Sequence, residues 1–182
     1  AGYNIGSLKQ EVIVFLDEKR NKVARSGTAF DPAAAFLGAS IVTNVSPVQH
    51  NISYALRNKI LLSGLELDLS LGEYNNKQLS TLSSSVAGNV TTLFTQQDRI
   101  LFVGLNGNIV LSDFVLKFDT SHKKGKRFPG SNPLRGPWSE HEVSEFSVGA
   151  DYSGFNDLSI NIELANAYIH KHNIQLANEQ NE

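Results

Sequence analysis

From Gly64 to Tyr74 the chain reads GLELDLSLGEY, and this alternation limits the accessible folds more than any other feature. Successive side chains of a strand leave opposite faces, so Leu65, Leu67, Leu69 and Leu71 point one way while Glu66, Asp68 and Ser70 point the other. The two-residue period returns downstream. Phe146, Val148, Ala150 and Tyr152 oppose Ser147, Gly149 and Asp151, and Leu158, Ile160, Ile162 and Leu164 oppose Ser159, Asn161 and Glu163. Ribbons of this kind need a neighbour for the apolar side, and alternation alone leaves open whether that neighbour is a protein core or lipid.

Seven segments carry this texture or a high content of β-formers: 8–18, 50–58, 64–74, 99–105, 109–120, 144–152 and 158–170. They predict an all-β fold. Short turns are expected at 59–63 (KILLS), 106–108 (NGN) and 153–157 (SGFND), and long polar loops at 19–49, 75–98, 121–143 and from 171 onward. The 59–63 turn is unusually apolar. Tight turns alternating with long loops are the pattern of an up-and-down transmembrane barrel, in which the tight turns face the periplasm. A soluble Greek-key sandwich would mix the two lengths. The pattern therefore predicts an up-and-down antiparallel sheet forming part of a transmembrane outer-membrane β-barrel.

Composition removes several other classes. With 182 residues and a net charge of −2, the chain has no electrostatic footprint for nucleic acid. It has no cysteine, which excludes disulfide frameworks and thiolate chemistry. No run approaches the ~20 apolar residues of a membrane helix, a test that strands of about 9–11 residues escape. The opening AGYNIGSLKQ carries neither an initiator Met nor a basic-then-apolar leader, and is read as the start of a mature product or of an excised piece.

GSLKQEVIVFLDEKRNKVARSGTAF, ISYALRNKILLSGLELDLSLGEYNNKQLS and VGADYSGFNDLSINIELANAYI together resemble an uncharacterised family of proteobacterial outer-membrane, porin-like barrels commonly associated with RND-type exporters. The resemblance covers nearly the whole chain, although its motifs are strand-and-turn textures without a catalytic signature. It implies a bacterial outer-membrane location, a barrel larger than seven strands, passage of small organic molecules including lipophilic ones, and a functional link to an RND-type exporter. Against a complete member the chain lacks a signal peptide, has an odd strand number and ends on NIQLANEQNE rather than on an aromatic-terminated strand. It is expected to be a single-domain fragment truncated at both ends.

On the barrel reading, parity sends the apolar sets to lipid. Glu11, Asp17, Arg57, Glu66, Asp68, Asp113, Lys117, Asp119, Glu145, Asp151 and Glu163 then face the lumen or its rim. Acids outnumber bases there, which suggests a wall that disfavours anions. The plainer alternative is that these charges only solvate the lumen or pair with bases on other strands. His122, Lys123, Lys124, Lys126 and Arg127 form a basic cluster, expected in a mobile outer loop that touches lipopolysaccharide phosphates, gathers an anionic solute or is merely solvated. Trp138, Tyr74, Tyr152, Tyr168 and Phe118 lie near predicted strand ends, where an interfacial aromatic girdle would place them.

Covalent chemistry finds no foothold in the pattern. Glu140, His141 and Glu142 cluster, and His170 and His172 would share a strand face, but a metal site needs three or four convergent ligands. There is no GxSxG elbow, HExxH or phosphate-cradling glycine loop. The expectation is a non-enzymatic channel without cofactor or metal, whose partners are the lipid bilayer, lipopolysaccharide and a small-molecule solute. A soluble lipocalin-like binding barrel and a surface adhesin or structural β-domain are the alternatives.

Overall fold

The alternating runs do form strands, joined in up-and-down order. The computed structural model describes residues 2–5, 7–16, 40–46, 52–129, 138–155 and 158–171. Its strands are β1 (Gly2–Ile5), β2 (Leu8–Leu16), β3 (Ser40–Val45), β4 (Ile52–Leu62), β5 (Leu65–Ala87), β6 (Val90–Leu111), β7 (Phe114–Phe128), β8 (Ser139–Tyr152) and β9 (Ile160–Ile169). Eight of them make one antiparallel path, β1-β2-β4-β5-β6-β7-β8-β9, while β3 lies parallel to β6 off that path. The sheet is not closed. No helix occurs among the described residues, and none is long and apolar enough to cross a membrane.

Several sequence boundaries move. The turn expected at 59–63 is Ser63–Gly64 instead, and Ile60, Leu61 and Leu62 complete β4. The NGN turn at 106–108 is absent, because Asn106, Gly107 and Asn108 run straight through β6 and join the segments read as 99–105 and 109–120. The chain reverses at Ser112–Asp113, where Ser112 takes φ 54°, inside a segment read as continuous strand. The loop expected over 75–98 is strand on both sides of a tight Gly88–Asn89 turn. Loop length therefore does not alternate strictly. The 121–143 loop shrinks as well, since β7 continues to Phe128, where Pro129 removes an amide, and β8 begins at Ser139. The start of the 153–157 turn lies between β8 and β9, while residues 156–157, like 17–39, fall outside the described set.

Cross-strand register sorts the side chains of this single-layered sheet into two faces. Leu56, Leu71, Val103, His122, Ser144 and Tyr168 form one continuous row, and Leu69, Leu105, Thr120, Phe146 and Asn166 the row beside it. One residue out of phase runs the row Glu11, Arg57, Ser70, Gly104, Ser121, Glu145 and Ala167. The buried apolar side chains among the described residues are only Leu93, Ile100, Phe128 and Val143, all in the halves of their strands remote from the Ser63–Gly64 turn. Leu69, Leu71, Val103, Phe146, Val148, Ile162 and Leu164 are exposed. Among the described residues no protein layer covers the apolar face.

Gly107 explains the false turn. A Cβ there would stand 2.6 Å from the Glu66 carbonyl oxygen, 2.8 Å from Leu67 Cδ2 and 2.9 Å from Phe118 Cε1. The neighbours across the ladder close over the missing side chain, with the Phe118 ring filling the gap on the apolar face. Phe118 is thus a mid-strand filler rather than a girdle residue. Gly107→Val is expected to lower unfolding free energy by about 1–3 kcal/mol through overpacking, and the same substitution in a Phe118→Ala background, where the ring no longer fills the gap, should cost less; an equal cost in both backgrounds by denaturant titration would contradict the packing account.

Beyond Asn75 the β5–β6 ribbon continues past its neighbours. Register shifts between Asn75 and Leu79 and between Thr81 and Ser83 bend it, and β3 pairs with Val90–Thr95 on the edge that β7 leaves open. A two-stranded ribbon is marginal in water, and a third strand is what such a ribbon needs. Gly125, at φ +94°, sits within the register shift between Lys123 and Lys126 that re-aims the end of β7.

Candidate functional site

The apolar face forms a band roughly nine residues tall on each strand from β4 to β9, close to the ~9–11 residues with which a strand crosses a hydrocarbon core. Its polar members are partnered or sparse. Gln10 Nε2 donates to Asn58 Oδ1 at 2.9 Å within the band, and Thr120 Oγ1 donates to the Glu145 carbonyl at 3.2 Å.

Aromatic rings border the band at both ends. Beside the short turns, Phe114 and Tyr152 lie 4.6 Å apart between ring centroids, and Tyr152 meets Phe155 edge-on at 5.1 Å. At the far border the Tyr54 hydroxyl donates to Glu73 at 2.7 Å, the Arg99 guanidinium lies 5.8 Å from the Tyr54 ring, and Arg99 Nε lies 3.1 Å from Glu73. Farther along, Tyr168 stacks edge-on with His170 at 4.9 Å. Ser144 links His122 (3.0 Å) to His170 (2.8 Å). Tyr152 and Tyr168 therefore lie at the two borders. Tyr74 does not: it shares the opposite face with Phe102, at 5.7 Å. Trp138 precedes β8 but sits well above the far border, its amide bonded to the Thr81 carbonyl at 2.9 Å.

The other face carries the charges. Glu11, Arg57, Glu66, Asp68, Lys117, Asp119, Glu145, Asp151 and Glu163 share it by register. Asp113 lies in the β6–β7 turn, where its carbonyl accepts the Ser153 amide at 3.0 Å, and Asp17 lies outside the described residues. Ion pairs run along and across the strands. Lys9 and Arg57 face Glu11 at 2.5 and 3.6 Å, Arg57 Nε donates to Asp68 at 2.6 Å, and Lys59 pairs with Glu66, Lys117 with Asp151 and Lys123 with Glu145. Asp119 and Glu163 make no ion pair among the described residues. The acidic surplus read for this face of the strands thus narrows to these two positions, because Arg57, Lys117, Lys123 and two lysines that the strand-by-strand reading left unlabelled, Lys9 and Lys59, neutralise the rest.

The basic cluster is not a loop. Its residues belong to β7 and divide between the faces: Lys123 joins Glu145, whereas Lys124 and His122 each lie 3.7 Å from Glu142 on the apolar-face side. Lys126 stands over the Phe128 ring at 4.8 Å. Arg127 lies 2.5 Å from Asp98 and 3.5 Å from Glu140. Carboxylates on β6 and β8 tie down what the charge run alone suggests is a solvated segment. Among the described residues no group of three or more His, Asp or Glu side chains could hold a metal ion; His172 lies outside them.

Sequence reasoning missed the Arg99–Glu73–Tyr54 cluster and Asp98. The signal for the first was an arginine at the head of an alternating run. Asp98, at 2% exposure, accepts the Ser80 hydroxyl as well as Arg127. No protein family, curated protein or solved structure matches the chain.

Proposed function

We propose that this chain is part of a bacterial outer-membrane β-barrel that passes small organic molecules, lipophilic ones included, along its charged face without covalent chemistry. One observation carries this reading: among the described residues a single-layered sheet presents an uncovered apolar band, bordered by aromatic rings at both ends, while the ion pairs within the height of that band gather on the opposite face. Lipid suits the band, because aromatic belts mark both membrane interfaces and charge is confined to the lumen side. The resemblance to porin-like barrels associated with RND-type exporters points the same way, and lipopolysaccharide is the natural neighbour of His122, Lys124 and His170 at the far border. A lipocalin-like barrel would turn the apolar face inward, where rings at both ends of the band would have no interface to mark.

The test is cellular and electrophoretic. The full-length protein should fractionate with the outer membrane and migrate differently before and after boiling. Release with the periplasmic contents, at one mobility, would end the proposal. In planar bilayers with unequal salt, the uncompensated Asp119 and Glu163 should give a weak cation preference, below about 1 kcal/mol of discrimination because exposed charges are screened. Asp119→Asn with Glu163→Gln should bring the reversal potential toward zero; an anion preference in the unmodified protein would contradict the assignment of this face to the lumen.

A further inference from the structure

One patch of the charged face breaks its pattern. Phe15 of β2, Tyr74 of β5 and Phe102 of β6 stand around a cavity of about 240 Å³, with Ser53 and Ala55 of β4 among its lining residues and Lys123 at its side. All six belong to the face that carries Arg57 and Asp68. The register sets Ala55, Gly72 and Phe102 in one row, and a Cβ on Gly72 would fall 2.8 Å from the Ala55 Cβ. Small residues in the row and aromatic walls around it leave a slot. Tyr74 and Phe102 meet at 65°.

We propose that this slot binds an uncharged, single-ring aromatic molecule. Size comes first. An apolar cavity of roughly 150 Å³ stays dry and takes benzene, so about 240 Å³ suits one ring with small substituents. Charge comes second. Lys123, the ionised side chain that reaches the slot from its own face, already faces Glu145, and Glu73, whose side chain belongs to the opposite face by register, is held by Arg99, so neither offers a free counter-ion to a charged ligand. Shape comes third. Ring walls favour a ring ligand through edge-to-face and offset contacts that a saturated molecule of equal size does not make. As a stage on a route through a pore the site rests on the channel proposed above, but as a binding site it stands on its own geometry.

The full chain, folded in detergent, is titrated with 4-fluorotoluene and followed by ¹⁹F NMR. Partition into micelles is non-saturable, whereas the slot adds a saturable component. Toluene should displace it, benzoate should not, and cyclohexane should compete roughly three- to tenfold more weakly. Ala55→Leu fills the slot and should abolish the saturable component. Phe15→Ala removes one wall and should weaken binding roughly two- to tenfold. Should Ala55→Leu fail to fold, Phe15→Ala and Phe102→Leu decide, and unchanged affinity in both overturns the proposal. Absence of a saturable component in the unmodified chain overturns it too, as does equal competition by cyclohexane or benzoate. The heat-dependent mobility of the same samples reports on the barrel separately. Saturable binding without a mobility shift removes the channel and keeps the site; a mobility shift without saturable binding does the reverse.

Discussion

Leu69→Arg is expected to destabilise the chain folded in phospholipid vesicles by about 2–4 kcal/mol, and Leu65→Arg by only about 0–1. Both leucines lie on the apolar face of β5, Leu69 near mid-band and Leu65 immediately after the Ser63–Gly64 turn. The original side chain is identical, so the difference isolates depth. A base at the bilayer midplane loses its hydration, whereas one at the interface reaches water with its long stem. Leu67 and Leu71 should fall between the extremes, and Ser70→Arg, on the other face, should cost less than about 1 kcal/mol. Denaturant titration from vesicles measures the series. If the four leucines cost the same, as in a protein core that is dry throughout, the lipid assignment of this face fails.

The second large effect concerns Arg127. Asp98 is 2% exposed and draws its compensation from Arg127 and the Ser80 hydroxyl. Removing the cation leaves a buried, unpaired carboxylate, a change that typically costs about 3–5 kcal/mol. Arg127→Leu should therefore loosen the upper parts of β5 and β6, raising amide hydrogen exchange between Ser80 and Thr95 by more than about 100-fold. Adding Asp98→Asn removes the stranded charge while keeping an acceptor for Ser80, and should recover most of the protection. Glu140→Gln, on a half-exposed acid 3.5 Å from the same arginine, should change it by less than about 1 kcal/mol. Failure of Asp98→Asn to rescue would mean that the arginine acts through packing rather than charge.

Both effects follow from features unequally visible in the sequence. The lower half of β5 was legible because Leu65 to Leu71 alternate with acids and serine. The upper half, NNKQLSTLSSS, is polar on both faces, and without a period it reads as loop although, apart from its two register shifts, its backbone is laddered to β6. Gly107 misled in the opposite direction: flanked by asparagines it looks like a turn, and only Phe118 on the next strand reveals that the space is filled. The real reversal at Ser112 uses a positive φ that serine rarely adopts, so nothing local announced it. Charges followed the same rule. That Glu66, Asp68, Asp151 and Glu163 each oppose an apolar set is a property of one strand and could be read directly. Which lysine or arginine meets which carboxylate is a property of register between strands, and the HKKGKR run therefore looked solvated until Asp98, Glu140, Glu142 and Glu145 were placed beside it.

The reach of the β5–β6 ribbon has a practical side. Along β6, from its Arg99 partner of Asn75 back to its Val90 partner of Ala87, it rises about 30 Å at ~3.3 Å per residue, beyond the far border of the apolar band. Its tip, Gly88–Asn89, is exposed, and a Cβ on Gly88 would touch nothing within 4 Å. For the proposed barrel that makes the tip a display post: an epitope spliced between these two residues would stand clear of the sugar layer's inner charges, open to antibody on an intact cell, with the transmembrane strands undisturbed below.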